Sequence, residues 1–262
     1  MQAHIITLAN QKGGVGKTTT TLALAGGLTQ RGYKVLVLDM DGQLNTSKTL
    51  KADIEAFTIL EVITGQVSIE KAVQHIDGVD VIPGSTSIDT MTSYATNSAA
   101  EMFILRDILE DVKERYDFIL IDTHPDIQPP TLNALTASTE VIIPTEASQY
   151  GVDAIRQVLE AIGVIQKYTN TSLVSLGALL TMYNTRTNLA KNLREKTREI
   201  MQNNGGVFET VIRNDVKIGE AQQEDVRKNI FTYAPKGHAS EDYNNFINEV
   251  LEKINMPATK EA

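Results

Sequence analysis

Residues 11–19 read Gln11-Lys12-Gly13-Gly14-Val15-Gly16-Lys17-Thr18-Thr19, directly after the aliphatic run His4–Ala9 and directly before the helix-compatible stretch TTLALAGGLTQRG. The order is strand, glycine loop, helix. Glycines let backbone N–H groups converge on phosphate oxygens, and the helix start adds partial positive charge. Lys17 can reach the outer phosphates, and the Thr18 hydroxyl can ligate Mg²⁺. A nucleoside triphosphate with Mg²⁺ is the expected ligand. The pattern G-x-x-x-x-G-K-[ST] asks for glycine at position 11, where this chain has Gln11, and a second lysine, Lys12, follows it.

Working outward, further β-branched or aliphatic runs occur at Lys34–Asp39, Val79–Pro83, Phe118–Asp122, Val141–Pro144, Leu173–Thr181 and Val207–Ile212. Several are apolar throughout, as strands covered on both faces must be. Between them, Leu105, Ile108, Leu109, Val112 and Tyr116 recur at helical spacing, as do Val152, Ile155, Leu159 and Ile162, and Tyr243, Phe246, Ile247, Val250, Leu251 and Ile254. The alternation predicts an α/β fold: a mostly parallel twisted sheet of about seven strands, covered by helices on both faces, in the manner of a P-loop NTPase. The polar stretch Ser85–Ala100 is too short to separate two cores, so one domain is expected over residues 1–254. Residues 255–262 read as a flexible tail.

Two carboxylate segments complete the site. The strand at 35–39 runs into Asp39-Met40-Asp41-Gly42-Gln43, and alternation points Asp39 and Asp41 the same way, toward a metal or an attacking water. Phe118–Asp122 is an apolar strand ending in the acid expected to hold the Mg²⁺ shell. Ligands of open α/β sheets bind at this carboxyl edge.

Composition narrows the function classes. Twenty-four Lys and Arg against 33 Asp and Glu give a net charge of −9, which excludes a uniformly basic nucleic-acid surface. Without cysteine there are no disulfides, thiolate zinc sites or iron–sulfur clusters. No run approaches the roughly 20 apolar residues of a membrane span, and the N-terminal stretch lacks the marks of a signal peptide. A cytoplasmic protein is expected. Residues 181–238 nevertheless hold ten Lys or Arg against seven Asp or Glu, a local basic excess on an acidic body.

Taken together, K-G-G-V-G-K-T-T at 12–19, D-x-D-x-Q at 39–43 and the strand-terminal Asp122 resemble the deviant Walker-A ATPases of the ParA/MinD family. TMYNTRTNL at 181–189, ETVIRNDVKIGEA at 209–221 and YAPKGHASEDY at 233–243 look like its DNA-partition branch, ParA or Soj. The resemblance implies an ATP-dependent sandwich homodimer in which Lys12 reaches the partner's phosphates while Lys17 serves its own nucleotide. It makes Lys12, Lys17 and Asp41 catalytic, with Asp41 positioning the hydrolytic water. Lys12, Gly13, Gly14, Val15, Gly16, Lys17, Thr18, Thr19, Asn184 and Arg213 would bind nucleotide; Thr18, Asp39 and Asp122 would attend the metal; Arg186 and Lys217 would contact DNA. A ParB-like centromere-binding protein would stimulate slow hydrolysis of ATP to ADP and phosphate. Non-specific DNA binding would place the protein on the nucleoid, driving plasmid or chromosome partition. The alternative is a same-fold ATPase that positions a protein cargo such as a chemoreceptor array or organelle.

Membrane attachment of the MinD kind needs a basic amphipathic C-terminal helix, whereas the last helix here, Glu241–Ile254, carries acids. The chain departs from the family's D-x-P-P and D-P-Q patterns at Asp122-Thr123-His124-Pro125-Asp126 and Asp41-Gly42-Gln43. His124, alone in a loop, reads as a solvated or hydrogen-bonded structural residue rather than a catalytic one.

Overall fold

Strands of nearly continuous aliphatic sequence need cover on both faces, and they receive it. A computed structural model describes residues 2–91 and 99–260. Residues 92–98 of the polar stretch Ser85–Ala100 lie outside the described residues. The strands are β1 (His4–Leu8), β2 (Val35–Met40), β3 (Gln74–Ile76), β4 (Val79–Ile82), β5 (Phe118–Thr123), β6 (Glu140–Glu146) and β7 (Val174–Thr181). They form one sheet in the order β3-β4-β2-β5-β1-β6-β7, parallel throughout except for the β3–β4 pair.

Side chains alternate across this sheet into two cores. Val35 and Val37 of β2 and Phe118 and Leu120 of β5 face Leu24 and Leu28 of α1 (Lys17–Gln30) and Tyr243, Phe246, Ile247 and Val250 of the last helix. Leu36, Leu38 and Met40 with Ile119 and Ile121 face the other way, onto Ile59 and Leu60 of α3 (Ile59–Ile63) and Leu105 and Leu109 of α5 (Ile104–Glu110). Burying a side chain of this size is worth about 1.5–3 kcal/mol. The other α-helices among the described residues are α2 (Asn45–Leu50), α4 (Ile69–Ala72), α6 (Pro129–Ala137), α7 (Gln149–Tyr168), α8 (Asn188–Met201), α9 (Val216–Gln222), α10 (Ile230–Tyr233) and α11 (His238–Lys253).

The α/β fold is as expected, but two strands differ. The short antiparallel β3 has only three residues and leaves no periodic signal. Conversely, Val207–Ile212 is not a continuous strand. It runs beside β7, with Phe208 N donating to Ala178 O (3.0 Å) and Ile212 N to Leu180 O (2.8 Å). Between those bonds, Glu209 N and Thr210 N donate instead to the Glu249 carboxylate on α11, at 2.8 and 3.0 Å, which interrupts the ladder. The terminal segment makes polar contacts with the body of the chain as far as residue 260. Tyr33 Oη donates to Pro257 O, Lys260 N donates to Arg31 O (2.9 Å), and Lys260 Nζ pairs with Asp117 at 2.7 Å.

The register places the chemistry. Asp39 of β2 lies beside Asp122 of β5, and Leu8 of β1 lies on the other side of Asp122. The glycine loop leaves β1 at the same carboxyl edge.

Candidate nucleotide site

The loop's shape depends on two left-handed glycines, Gly14 at φ 73° and Gly16 at φ 87°, where a residue with a Cβ is strained. Gly16 is also the N-cap of α1, so no side chain occupies the helix start. A cleft of about 540 Å³ opens there, lined by Gly13, Gly14, Gly16, Lys17, Thr18 and Thr19. Asp41, Gln43, Asn45 and Pro125 also line it, as do Thr181, Met182, Ile212, Ile218, Gln222 and Tyr243, a set that mixes apolar side chains with Thr181 and Gln222. Thr19 Oγ1 accepts from Gln222 Nε2 at 3.0 Å, and Val15 O accepts from Thr181 Oγ1 at 2.8 Å, fixing the loop against these two residues.

Lys17 is 6% exposed and donates to Asn10 O at 3.2 Å. Desolvation lowers its pKa, against the attraction of Asp122, Asp41 and Asp126. A cation with so little hydration and a single carbonyl partner gains strongly from a phosphate.

Lys12 behaves differently. Its Nζ donates to Glu146 Oε2 at the end of β6 and lies 3.4 Å from Ser148 Oγ, the N-cap of α7. It does not line the cleft that Lys17 lines.

Asp122 is fully buried, and its Oδ2 accepts from Thr18 Oγ1 and from Thr46 Oγ1, each at 2.7 Å. Its Oδ1 is buried with no partner among the described residues. Burial pushes its carboxyl up to about 6, with the two hydroxyls and Lys17 acting in the opposite direction. These residues fit a magnesium ion. A Thr18 oxygen that has given its hydrogen to Asp122 keeps its lone pairs for a hard cation, and Asp122 Oδ1 can accept from a water of the ion's shell. When bound, Mg²⁺ offsets the negative charge of the outer phosphates.

Asp39, expected to attend the metal, accepts hydrogen bonds at both of its oxygens. Its Oδ1 accepts from Asp41 N (3.1 Å), and its Oδ2 from Ser47 N (2.8 Å) and Ser47 Oγ (2.6 Å). Both oxygens are therefore used in holding the β2–α2 loop that carries Asp41. Burial and the neighbouring Asp122 charge push Asp39 up to about 7. Asp41 is 5% exposed and lines the cleft, with Oδ1 accepting from Gln43 N at 2.9 Å.

Asn184 and Arg213 do not line the cleft. Asn184 is exposed and its Oδ1 accepts from Arg186 N at 3.1 Å. Arg213 is held by Asp242 and Glu241 on α11, which raise its pKa. The walls that replace them, Met182, Ile212, Ile218, Gln222 and Tyr243, come from three separate segments and carry no motif of their own. Thr46 and Ser47 are the other residues missed. Their signal is two adjacent hydroxyls three residues after Gln43, at a helix start beside two carboxylates.

Among the described residues, no helix is long and apolar enough to cross a membrane. A profile described as AAA domain matches residues 3–175. The sporulation initiation inhibitor protein Soj of Bacillus subtilis is 36% identical over 251 residues, covering 94% of this chain and 97% of that protein. The chain belongs to the ParA/MinD family of ATPases, on its Soj/ParA branch. The chromosome partitioning protein ParA of Myxococcus xanthus is 32% identical over 92% of this chain and 85% of that protein. Among solved structures, cobyrinic acid a,c-diamide synthase from Mycobacterium smegmatis with bound ADP and magnesium superposes with a TM-score of 0.82. It is 25% identical and covers 99% of this chain and 100% of that one. The ATP complex of a Cyanothece McdA variant reaches 0.87 at 21% identity, with 99% of each chain covered, which speaks to the fold alone. As a family member this chain is an ATPase, and ATP with Mg²⁺ is the pair its phosphate loop and its Thr18–Asp122 corner accommodate.

Proposed function

We propose that this ATPase forms an ATP-dependent sandwich dimer, binds DNA without sequence preference while dimeric, and drives plasmid or chromosome partition on the nucleoid with a ParB-type partner. The observation that carries this reading is the position of Lys12. The loop's second lysine does not line its own cleft but rests on Glu146 and Ser148, from which a second protomer's triphosphate can draw it away. A cation supplied across an interface makes nucleotide binding and association one linked equilibrium. Hydrolysis then removes the charge that Lys12 meets, and the dimer loosens.

Within each protomer, Lys17 neutralises its own nucleotide, Thr18 and Asp122 attend Mg²⁺, and Asp41 positions the attacking water. Asp39 fixes the loop that presents Asp41. Arg186 and Lys217 contact DNA, and two protomers offering the same weak patch act as one bivalent ligand. Arg186 is exposed, while Lys217 is paired with Glu220 at 2.7 Å.

Light scattering with DNA retardation, in ATP, in ADP and without nucleotide, tests the reading. Dimers and retarded DNA are expected only in ATP, and Lys12→Ala should stay monomeric while still binding ATP. Asp41→Ala should bind ATP, lose about a hundredfold in turnover, and persist as a DNA-bound dimer. A Lys12→Ala variant that dimerises normally in ATP would remove the clamp on which the reading stands.

A further inference from the structure

The segment Asp122-Thr123-His124-Pro125-Asp126 departs from the family pattern at the corner where hydrolysis is assigned, and it sets an imidazole between two carboxylates. His124 Nδ1 lies 2.9 Å from Asp126 Oδ2, and its Nε2 lies 4.0 Å from Asp41 Oδ1. The next residue, Pro125, lines the cleft together with Asp41 and lies 3.8 Å from where a Cβ on Gly13 would stand. The imidazole is 27% exposed and the Asp41 side chain 8%, so the gap between them is reachable from solvent but mostly walled.

An ionised carboxylate only accepts hydrogen bonds, so the hydrogen between His124 and Asp126 resides on Nδ1. In the neutral ring, Nε2 then keeps a lone pair facing Asp41. Two acceptors 4.0 Å apart do not bond to each other. The gap is wide enough for a single water about 2.8 Å from each to bridge them, with an acceptor–water–acceptor angle of about 90°, close to the angle between the water's own hydrogens. Both hydrogens are then held, and the oxygen lone pairs point away from the two acceptors. Phosphoryl transfer asks for such a water, because positioning supplies most of its catalysis.

We propose that His124 is a second positioning residue for the attacking water, acting with Asp41 and locked in its orientation by Asp126. The inference rests on the reading of Asp41 as the hydrolytic carboxylate. In the step itself the water oxygen bonds the γ-phosphorus as the bond to the β–γ bridging oxygen breaks. The electron pair leaves with ADP, and one water proton passes by way of Asp41 to the released phosphate. His124 holds the second hydrogen throughout and gains no proton.

The test uses the full chain, with single-turnover hydrolysis at saturating Mg-ATP and a separate titration with a fluorescent ATP analogue. His124→Ala should slow hydrolysis about tenfold to a hundredfold, with ATP affinity within about twofold of the unaltered protein. His124→Gln, which keeps an acceptor oxygen at similar reach, should recover most of the rate, and Asp126→Asn should lose part of it. The double variant Asp41→Ala with His124→Ala should be no slower than Asp41→Ala alone, since the two groups share one water. If Asp41→Ala is slow but His124→Ala is not, the inference fails and the reading of Asp41 stands. If Asp41→Ala hydrolyses normally, both fall. A His124→Ala variant that loses affinity and rate together, or a Gln variant as slow as Ala, would mark His124 as structural and overturn the inference.

Discussion

Charge is handled in opposite ways at the phosphate loop and across residues 181–238. Around the loop the charges are few and buried: Lys17, Asp39, Asp41 and Asp122 are all under a tenth exposed, and most of their polar atoms have a named partner. Across 181–238 they are many and solvent-facing, and half of the cations are already matched by acids of the same chain. Arg194, Arg198, Arg213, Lys217 and Arg227 are in ion pairs, which leaves Arg186, Lys191, Lys196, Lys228 and Lys236 exposed without one among the described residues. A buried charge acts through the geometry of its partners, whereas an exposed one acts through the sum of its neighbours, weakened by salt. The first kind of region fails when a single residue changes. The second changes by degrees.

That contrast breaks most easily at Lys17. Lys17→Ala should lower ATP turnover about 10²–10³-fold and weaken binding of a fluorescent ATP analogue alongside it. A variant close to normal in both would mean that the buried cation is not what meets the phosphates.

The next effect is on stability. Asp39 and Asp122 titrate near 7 and 6 in the folded chain against an ordinary value of 3.8, so between about pH 4 and pH 7 the folded state binds more protons than the unfolded one. Stability of the Mg²⁺-free protein should therefore fall as pH rises through that window and level off above it. Denaturant midpoints at pH 5 and pH 7.5 measure this. Adding Mg²⁺ with ADP should shrink the fall, because a bound cation favours ionised Asp122. A midpoint that rises steadily from pH 5 to pH 7.5 without Mg²⁺ would show that the carboxylate pair is not strained.

The smallest effects belong to the basic segment. Arg186→Ala should weaken DNA retention in ATP severalfold and reduce the salt slope by about one, while Lys217→Ala should do less because Glu220 already offsets that lysine. Glu220→Gln should tighten DNA binding by a few-fold at most. Equal losses at Arg186 and Lys217, with no gain at Glu220, would show that intramolecular pairing does not govern the patch.

Much of this molecule was legible in its sequence because the relevant signals are local. The order strand, glycine loop, helix located the cleft, since Gly14 and Gly16 act through their own backbone angles and Lys17 and Thr18 sit in the first turn of the helix that follows. Aliphatic runs ending in Asp39 and Asp122 fixed a parallel sheet with acids at its carboxyl edge. What stayed hidden depends on atoms brought together from distant positions. Only the fold reveals that Asp39 accepts from Ser47 and from the Asp41 amide, or that Glu249 draws Glu209 and Thr210 away from the sheet. Only the fold places His124 Nε2 4.0 Å from Asp41 Oδ1 across 83 positions of chain. The physical reason is the range of the interactions. Backbone angles and side-chain periodicity are set by near neighbours and can be read along the chain, whereas a hydrogen bond is made within about 3 Å of space, and the sequence does not say which residues will share it.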